Sequence, residues 1–389
     1  MKIGIEAQRL FRTKKHGMDI VALESLRELQ RLDHENDYVV FVRPDEDRAC
    51  LPDAANVTIW EVPGASYPSW EQVALPRAVA ASGVEMLHCT ANTAPLHCPV
   101  PLLLTLHDVI YLEGDSPFQH GGTWYQRLGN MYRSVVVPSA VRQAERVLTV
   151  SRYEKTRIRL TLPTAENKLE VVYNGVGAHF HPVTDAARLA EVRARYDLPE
   201  PFLFFLGNTA PKKNLRGVVT AYARYAQRAT NPLPLVVADL SPTHLSRLLH
   251  ERGCADLRPH FVLPGYIANA DLPAIYSQCA LFLYPSLRES FGIPILEAMA
   301  CGAPVITSDC TSMPEIAGEA ALLVNPLEPM HLTQMIELVL GRPELAQTLR
   351  RRGIERAAQF SWQATARRLM TLYQEVGRSS ALNPHARAA

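Results

Sequence analysis

The segment from residue 280 to residue 307 restricts the possible folds of this chain more than any other. It begins with an apolar run at 280–284 and ends with a second run at 304–307, and both are typical of buried strands. Between them, Pro294 suits the first turn of a helix and Gly302 suits the position just after a helix end. The segment therefore predicts a strand, a loop, a short helix and a second strand.

Two glutamates flank the predicted start of this helix, with Glu289 in the loop before it and Glu297 within it. The first N–H groups of a helix have no partner inside the helix and carry a partial positive charge, so a helix start can bind an anion. The two carboxylates could then hold the hydroxyls of a sugar or ribose whose phosphate contacts these amides. Equally, they could be a solvated loop residue and a surface helix residue, and their spacing leaves both interpretations open.

Composition excludes several classes of protein. The chain has 389 residues, enough for two domains, and its net charge of +1 gives no general attraction to nucleic acid. Its seven cysteines form no Cys-x-x-Cys pair, which favours reduced thiols in the cytosol over a zinc ribbon or a disulfide scaffold. Glu6 interrupts the apolar N-terminus, which predicts a first strand rather than a signal peptide. No apolar run reaches the roughly 18 residues of a membrane span.

Strand-like and helix-like patterns alternate twice along the chain. The first series runs from a strand at 2–6 through a helix at 70–82 to a strand at 169–173. The second series begins with a strand at 202–207 and leads into the segment described above. This alternation predicts the α/β class, with two doubly wound parallel sheets. The predicted divisions are residues 1–185, residues 186–360, a helix at 361–378 and a frayed tail at 379–389.

Three polar loops follow predicted strands, at the edge where parallel α/β sheets bind their ligands. Gly17 follows the first strand and opens a helix, where a backbone without a side chain can approach a phosphate closely. His107 and Asp108 follow the strand that ends at residue 106, and an imidazole there can bond a sugar hydroxyl or accept a proton. Lys212 and Lys213 follow the first strand of the second series, where an ammonium could stabilise the charge of a leaving phosphate.

Each of these loops also has a purely structural interpretation. Gly17 can be a turn glycine, with Asp19 as the N-cap of the helix that follows. The His107–Asp108 pair can be satisfied within its own turn, and the lysines can form an exposed basic loop. The sequence contains no metal-ligand pattern, no P-loop and no Gly-x-Gly-x-x-Gly motif, so a metal site, an NTPase and a dinucleotide oxidoreductase have no support.

Taken together, these segments resemble the retaining GT-B glycosyltransferases of glycosyltransferase family four. The sequence ESFGIPILEAMACGAPV, which begins at Glu289, is similar to the paired-glutamate motif of that family and is highly specific. The resemblance extends from Lys2 to Val376. Further matches occur in the same order as in the family, at 105–108, 150–151, 174–176, 211–214 and 313–318.

The resemblance implies the GT-B architecture, in which two Rossmann-like domains enclose a cleft and a final helix returns to the first domain. The second domain would bind a nucleotide diphosphate sugar, and the first would bind the acceptor. The implied catalytic residues are His107, Lys213 and Glu289. The implied donor-binding residues are Gly17, Asn208, Lys212, Lys213, Glu289, Ser290, Phe291, Gly292, Ile293 and Glu297, and the implied acceptor-binding residues are Asp19 and Asp108.

The resemblance also implies a division of roles among these residues. Glu297 would bond the ribose hydroxyls, Glu289 would face the transferred sugar, and Lys213 would neutralise the diphosphate. Two positions depart from the family pattern, because Asn208 stands where the family often has arginine and Asp19 stands where it often has a second glycine. The first change removes a phosphate partner and leaves more of that role to the lysines.

The implied reaction is transfer of a mannose-like or glucose-like hexose from a GDP- or UDP-linked donor, with retention of anomeric configuration and without a metal or cofactor. The acceptor would be a saccharide or a lipid-linked sugar, in polysaccharide or glycolipid biosynthesis. Two alternatives remain open. They are a nucleotide-sugar epimerase on the same fold and a catalytically degenerate sugar-binding subunit.

Basic residues cluster in two places of the first half, in the loop at 9–16 and in the segment at 152–159. These clusters could contact an anionic membrane surface, or they could be solvated faces. The sequence thus predicts a cytoplasmic protein, a monomer or homodimer, with peripheral association at the inner membrane face as one hypothesis. Nucleic acid is not an expected partner.

Overall fold

The computed structural model describes residues 1–113, 124–162, 168–207 and 209–382. Its contacts divide the chain into two units, of which the first comprises residues 1–175 with the final helix and the second comprises Val176–Ser361. This boundary lies before the predicted residue 185, because Val176 pairs with Ser361 and donates its N–H to the Phe360 carbonyl at 3.1 Å. The second unit therefore begins and ends at adjacent backbone positions.

Each unit contains one parallel sheet, and the strands are numbered along the chain. The strands of the first sheet are β1 (Lys2–Glu6), β2 (Asp37–Val42), β3 (Val57–Glu61), β4 (Met86–Cys89), β5 (Leu102–Thr105), β6 (Arg146–Thr149) and β7 (Leu169–Val171). The strands of the second are β8 (Leu203–Phe205), β9 (Leu235–Val237), β10 (Phe261–Val262), β11 (Leu281–Tyr284), β12 (Val305–Ser308) and β13 (Leu322–Val324). The strand orders are β3-β2-β1-β4-β5-β6-β7 and β10-β9-β8-β11-β12-β13. The prediction of two doubly wound α/β sheets is confirmed.

The α-helices connect these strands and cover both faces of each sheet, as parallel sheets require. They are α1 (Gly17–Leu32), α2 (Tyr67–Ser69), α3 (Leu75–Ser82), α4 (Trp124–Gln143), α5 (Arg152–Thr161), α6 (Ala186–Tyr196), α7 (Leu215–Arg228), α8 (Pro242–Glu251), α9 (Leu272–Gln278), α10 (Ile293–Ala300), α11 (Met313–Ala317), α12 (Pro329–Leu340), α13 (Pro343–Ala357) and α14 (Trp362–Leu382). The predicted helix at 70–82 lies within a continuous helical segment at 67–82, in which residues 70–74 form a π-helical turn between α2 and α3. No helix among the described residues is long and apolar enough to cross a membrane.

The first sheet has a separate core on each face. On one face, α1 and α14 pack against the sheet, and Leu26 of α1 and Tyr373 of α14 share a buried cluster with Ile5 of β1. On the other face, α3, α4 and α5 cover the sheet through residues such as Val137 and Ile158. The final helix therefore belongs to the first unit although it follows the whole second unit in sequence.

Successive side chains of the second sheet point to opposite faces, as the strand period of two requires. Leu203 and Phe205 of β8 join a core formed with α7, α8, α12 and α13. Phe204, between them, points the other way and contacts the rings of Tyr276 and Phe282, with centroid distances of 5.5 and 5.7 Å. Burial on both faces explains why these strands are uninterrupted apolar runs in the sequence.

Strand order locates the ligand edge of each sheet. In the first sheet the order reverses between β1 and β4, and in the second it reverses between β8 and β11. Loops that leave two such strands at their carboxyl ends diverge to opposite faces and leave a crevice, which is where doubly wound folds bind ligands. The expected ligand crevices therefore lie at the loops after β1 and β4 in the first sheet and after β8 and β11 in the second.

Candidate active site

In the second unit, the loops after β8 and β11 bring a lysine and a glutamate into direct contact. Lys213 Nζ donates to Glu289 Oε1 at 2.7 Å and to the Tyr284 hydroxyl at 2.6 Å. The ammonium also lies 4.7 Å from the centroid of the Tyr284 ring. The two charged side chains are only 17% and 10% exposed, so the pair is largely removed from solvent. It lies at the reversal point of the second sheet.

Backbone contacts hold the two loops together independently of this ion pair. Leu287 donates its N–H to the Lys212 carbonyl at 2.7 Å, and Asn214 Nδ2 donates to the Pro285 carbonyl at 3.0 Å. Asn214 has a positive φ of 60°, a conformation that asparagine tolerates better than most residues. Ser312 Oγ, from α11's N-terminal side, donates to the carbonyl of Glu289 at 3.0 Å. Both charged residues are therefore placed by fixed backbone.

The lysines keep Glu289 ionised. Burial opposes ionisation of this carboxyl, but the positive charges of Lys213 and Lys212 outweigh it, and the pKa of Glu289 lies below its usual value. A carboxylate next to an ammonium can accept hydroxyl protons from a ligand while the ammonium meets an anion. This arrangement suits a ligand that carries both hydroxyls and a phosphate.

Glu297 occupies a different environment on α10. Its Oε2 accepts a hydrogen bond from the Tyr276 hydroxyl at 3.3 Å, and the residue is half-buried. Burial raises the pKa of Glu297 to about 7, while Tyr276 and Lys213 only partly offset this rise. The two glutamates thus differ in protonation near neutral pH, a difference that the sequence did not predict.

The start of α10 retains the features of an anion site. Gly292 precedes the helix with φ of +100°, a backbone conformation that L side chains rarely adopt, so glycine is required there. Ile293 begins the helix, and Phe291 is buried against the ring of Phe360, with a centroid distance of 6.0 Å. Ser290 is half-buried beside them. The expected donor-binding residues 289–293 therefore form one continuous turn.

The remaining expected residues of the second unit lie in the lysine loop. Lys212 is half-buried, and its charge contributes to the low pKa of Glu289. Asn208 lies outside the described residues, so its role stays a prediction. Gly207, just before it, packs directly on Phe205, since a Cβ there would come within 2.0 Å of that ring.

In the first unit, His107 is buried and held in one tautomer. Its Nε2 lies 2.9 Å from the Thr90 carbonyl, which can only accept, so Nε2 carries the proton. Its backbone N–H donates to Asn92 Oδ1 at 2.6 Å. Burial lowers the pKa of His107, so the ring is neutral. Within the described part of the chain, Nδ1 has no hydrogen-bond partner, and its lone pair can accept from a ligand hydroxyl.

Asp19 is not the N-cap of α1, in contrast to the structural interpretation of the sequence. The N-cap is His16, and Asp19 occupies the third helical position, where its Oδ2 accepts the His16 backbone N–H at 2.9 Å. Its other oxygen pairs with Arg9 Nε at 3.0 Å. Both carboxylate oxygens of Asp19, which was expected to bind the acceptor, are therefore hydrogen-bonded within the first unit.

Gly17 and Asp108 occupy more open positions. A Cβ added to Gly17 would meet no atom within 4 Å, so nothing inside the unit requires glycine there. Asp108 is half-buried, and its Oδ1 accepts the Ile110 N–H at 3.3 Å. The loop positions are as predicted, but no contact assigns either residue to a ligand.

Sequence reasoning missed a buried carboxyl that shares Thr90 as a hydrogen-bond partner with His107. Glu6, the last residue of β1, accepts the N–H groups of Gln8 at 2.9 Å and Thr90 at 3.3 Å. Burial raises the pKa of Glu6 to about 7. Sequence reasoning also missed Tyr276 and Tyr284, whose hydroxyls contact the glutamates and the lysine of the second unit. For Glu6 and Tyr284 the available signal was a charged or phenolic residue at the end of a buried apolar strand, whereas Tyr276 lies within α9 and had no such signal.

No group of three or more His, Cys, Asp and Glu side chains among the described residues could hold a metal ion. The positive charge at the site in the second unit comes instead from Lys213 and Lys212.

Solved structures show the class of fold. Sucrose-phosphate synthase of Thermosynechococcus elongatus matches with a TM-score of 0.75 at 21% identity, over 97% of this chain and 100% of that one. HepE of Anabaena, solved in complex with UDP and glucose, matches with a TM-score of 0.73 at 18% identity, over 96% and 99% of the two chains. The fold is thus GT-B, as the sequence resemblance implied.

Two family models identify the family within this class. The model described as Glycosyltransferase Family 4 matches residues 16–179, and the model described as Glycosyl transferases group 1 matches residues 189–356. The chain therefore belongs to the family 4 glycosyltransferases. Serotype-specific mannosyltransferase WbdA of Escherichia coli is 29% identical over 227 residues, which are 58% of this chain and 28% of that protein. The chain thus spans less than a third of this relative.

Proposed function

We propose that this protein is a retaining glycosyltransferase that moves a hexose from a nucleotide diphosphate sugar to a saccharide or lipid-linked acceptor. The observation that carries the proposal is the Lys213–Glu289 pair at the reversal point of the second sheet. It combines a cation for a diphosphate with a carboxylate for sugar hydroxyls. Family membership and the paired-glutamate motif support the same activity.

Lys213 would supply the charge that transfer requires. As the bond between the anomeric carbon and the phosphate oxygen breaks, negative charge grows on the nucleotide diphosphate, and preorganised cations stabilise it. An ammonium has three donors, and Glu289 and Tyr284 receive two of them. The third can point at a phosphate oxygen. The start of α10 would add backbone N–H groups on the same anion.

Glu289 and Glu297 would hold the two sugar rings of the donor. Glu289, kept ionised by the lysines, would accept hydrogen bonds from the hydroxyls of the transferred hexose. Glu297 would accept the ribose hydroxyls, and its pKa of about 7 makes this interaction weaken at acid pH. His107 would accept a hydroxyl proton through Nδ1 in the first unit.

The donor is proposed as a GDP- or UDP-linked hexose that needs no metal ion. WbdA, a mannosyltransferase, supports a mannose-like sugar, whereas HepE was solved with UDP and glucose and supports a glucose-like one. The acceptor is proposed to be an intermediate of polysaccharide or glycolipid synthesis. The name of WbdA, a serotype-specific mannosyltransferase, supports this proposal. Such an acceptor is consistent with peripheral association at the inner face of a membrane.

A panel of nucleotide sugars tests the donor and the residues together. Thermal unfolding is measured with GDP-mannose, UDP-glucose and related compounds, since a ligand that binds only the folded state raises the melting temperature. The cognate donor should raise it for the wild type and for Arg224→Ala, an exposed control in the second unit, but much less for Glu297→Ala or Lys213→Ala. Absence of any shift across the panel, or equal shifts in all variants, would contradict the proposal.

A second measurement separates transfer from the alternative activities. Turnover with the cognate donor is followed in the absence and presence of acceptor extracts. A transferase hydrolyses the donor slowly and accelerates when acceptor is added, whereas an epimerase converts the sugar without an acceptor. Nucleotide binding without either reaction would indicate a degenerate subunit and would overturn the proposal.

A further inference from the structure

The first unit carries an apolar stripe on the outer face of α4. Leu128, Met131 and Val135 follow one another at spacings of three and four, so they share one side of the helix. Their exposed fractions are 48%, 60% and 66%, which are high for large apolar side chains. The opposite side of the same helix, including Val137, packs into the core against the sheet. The helix is therefore apolar on both sides, and among the described residues only one side packs into a core.

Basic side chains surround this stripe. Helices α4 and α5 together contain seven arginines and lysines and a single acid, Glu154, whereas the whole chain has a net charge of only +1. Glu154 is fully buried, so it does not reduce the positive charge of the outer surface. Arg127 and Arg142, near the two ends of the stripe, are exposed.

The helix α5 extends the same surface. Its Ile158 and the Val137 of α4 belong to one core, so both helices cover the same face of the sheet and turn their outer sides in the same direction. On the outer side of α5, Leu160 is 70% exposed and Arg159 is exposed beside it. One basic residue of α5 is paired outside the helix, since Arg157 Nε donates to Glu113 Oε1 at 2.8 Å, whereas α1 on the opposite face pairs arginines within the helix, as in Arg27–Glu24 and Arg31–Glu28.

We propose that the outer face of α4 and α5 docks on an anionic lipid surface. A stripe of large apolar side chains bordered by arginines, on two helices whose single acid is buried, matches the interface of a bilayer, where apolar groups enter the acyl boundary and cations meet the headgroups. The stripe at 128–135 spans about 10 Å of the helix axis, so its three side chains can face one surface together. The excess of positive charge favours anionic lipid over a second copy of this near-neutral chain.

The docking face is connected to the ligand edge of the first sheet. The guanidinium of Arg133, on α4, lies 5.8 Å from the centroid of the Tyr111 ring, in the 3₁₀ turn that follows His107 and Asp108. Docking of α4 would therefore hold this loop close to the membrane surface. If the proposed function is correct, on which this point rests, a lipid-linked acceptor would reach the loop without leaving the bilayer.

Vesicle flotation tests the proposal with the full chain. The wild type is mixed with vesicles of phosphatidylcholine and phosphatidylglycerol, or with vesicles of phosphatidylcholine alone. The two test variants are Leu128→Ser/Met131→Ser/Val135→Ser and Arg127→Glu/Arg142→Glu. The matched controls are Leu327→Ser, which is 76% exposed in the second unit, and Arg224→Glu/Arg252→Glu, which changes the charge equally on exposed residues.

The wild type and both controls should float with the anionic vesicles, and raised salt should release them. In each test variant, the partition coefficient for anionic vesicles should be at least about tenfold lower than in the wild type. All variants should retain the melting-temperature shift given by the cognate nucleotide sugar, which reports on the second unit independently. A wild type that ignores anionic vesicles, or test variants that bind as well as the controls, would overturn the proposal.

Two further outcomes separate this proposal from its alternatives. If light scattering shows a dimer that becomes monomeric in the Leu128→Ser/Met131→Ser/Val135→Ser variant, the face is an interface between two copies and the lipid proposal is wrong. Vesicle binding with no glycosyl transfer would retain the docking face and refute the proposed function. Transfer to soluble acceptors without vesicle binding would retain the proposed function and refute the docking face.

Discussion

Replacing Lys213 with methionine separates the structural role of the Lys213–Glu289 pair from its proposed catalytic role. At a separation of 2.7 Å and an effective dielectric constant of about 20, the attraction between the two charges is about 6 kcal/mol. Desolvation of both groups offsets part of it. Removing one partner of a buried pair leaves the other charge uncompensated, which typically costs about 3–5 kcal/mol. Since Lys212 also acts on Glu289, we expect the lower end, about 3 kcal/mol.

Adding the substitution Glu289→Gln completes a double-mutant cycle that measures the interaction between the two side chains. In the Lys213→Met background it removes the stranded carboxylate, so the double variant should recover about 2 kcal/mol of the lost unfolding free energy. Urea unfolding followed by far-UV circular dichroism measures this. All four tryptophans lie outside residues 176–361, so tryptophan fluorescence would not report on the second unit. Additive effects of the two substitutions would refute the pair as the organising contact of the site.

The same variants should respond differently in a transfer assay. Lys213→Met should lower kcat by about 10²–10³-fold, because one preorganised charge on the leaving group is lost. Glu289→Gln should not restore turnover in that background, although it restores stability. Stability that returns together with activity would show that Lys213 acts only through folding. Since the pKa of Glu289 is lowered, its stabilisation of the wild type is present at neutral pH and is lost as the pH falls through that lowered value.

Three further predictions concern Glu297, Asp19 and the absence of a metal requirement. Because burial raises the pKa of Glu297 to about 7, Glu297→Gln should raise the unfolding free energy by up to about 3 kcal/mol above pH 7, and this gain should disappear toward pH 4.5. Urea unfolding at several pH values measures the gain. The same substitution should weaken donor binding. Asp19→Ala should lower the unfolding free energy by about 1–2 kcal/mol in the same measurement, because the His16 N–H and Arg9 lose their partner, whereas Asp108→Ala should change it little. Dialysis against EDTA should leave turnover unchanged, because lysines supply the charge; a loss that Mg²⁺ restores would contradict this.

Local sequence patterns predicted most of the elements that carry the site. The strand β11 is fully buried on both faces and therefore reads as an uninterrupted apolar run. The start of α10 follows from Gly292 and Pro294, whose backbone preferences act within a few residues. Local patterns predicted the helix at 70–82 but not the π-helical turn at 70–74 inside it. Contacts with distant segments occur at this turn, where the Trp70 indole N–H donates to the Val62 carbonyl at 2.8 Å and the Tyr132 hydroxyl donates to Glu71.

The sequence by itself determined the alternation of strands and helices, the family, and the loops in which the functional residues lie. These depend on side-chain period and on motifs whose residues are close in the chain. Only the tertiary structure decided that Lys213 and Glu289, separated by 76 residues, form one ion pair. It also decided that Glu289 and Glu297 differ in protonation. The physical reason is that parallel order places β8 beside β11, and burial and charge at that point depend on groups brought together from distant segments.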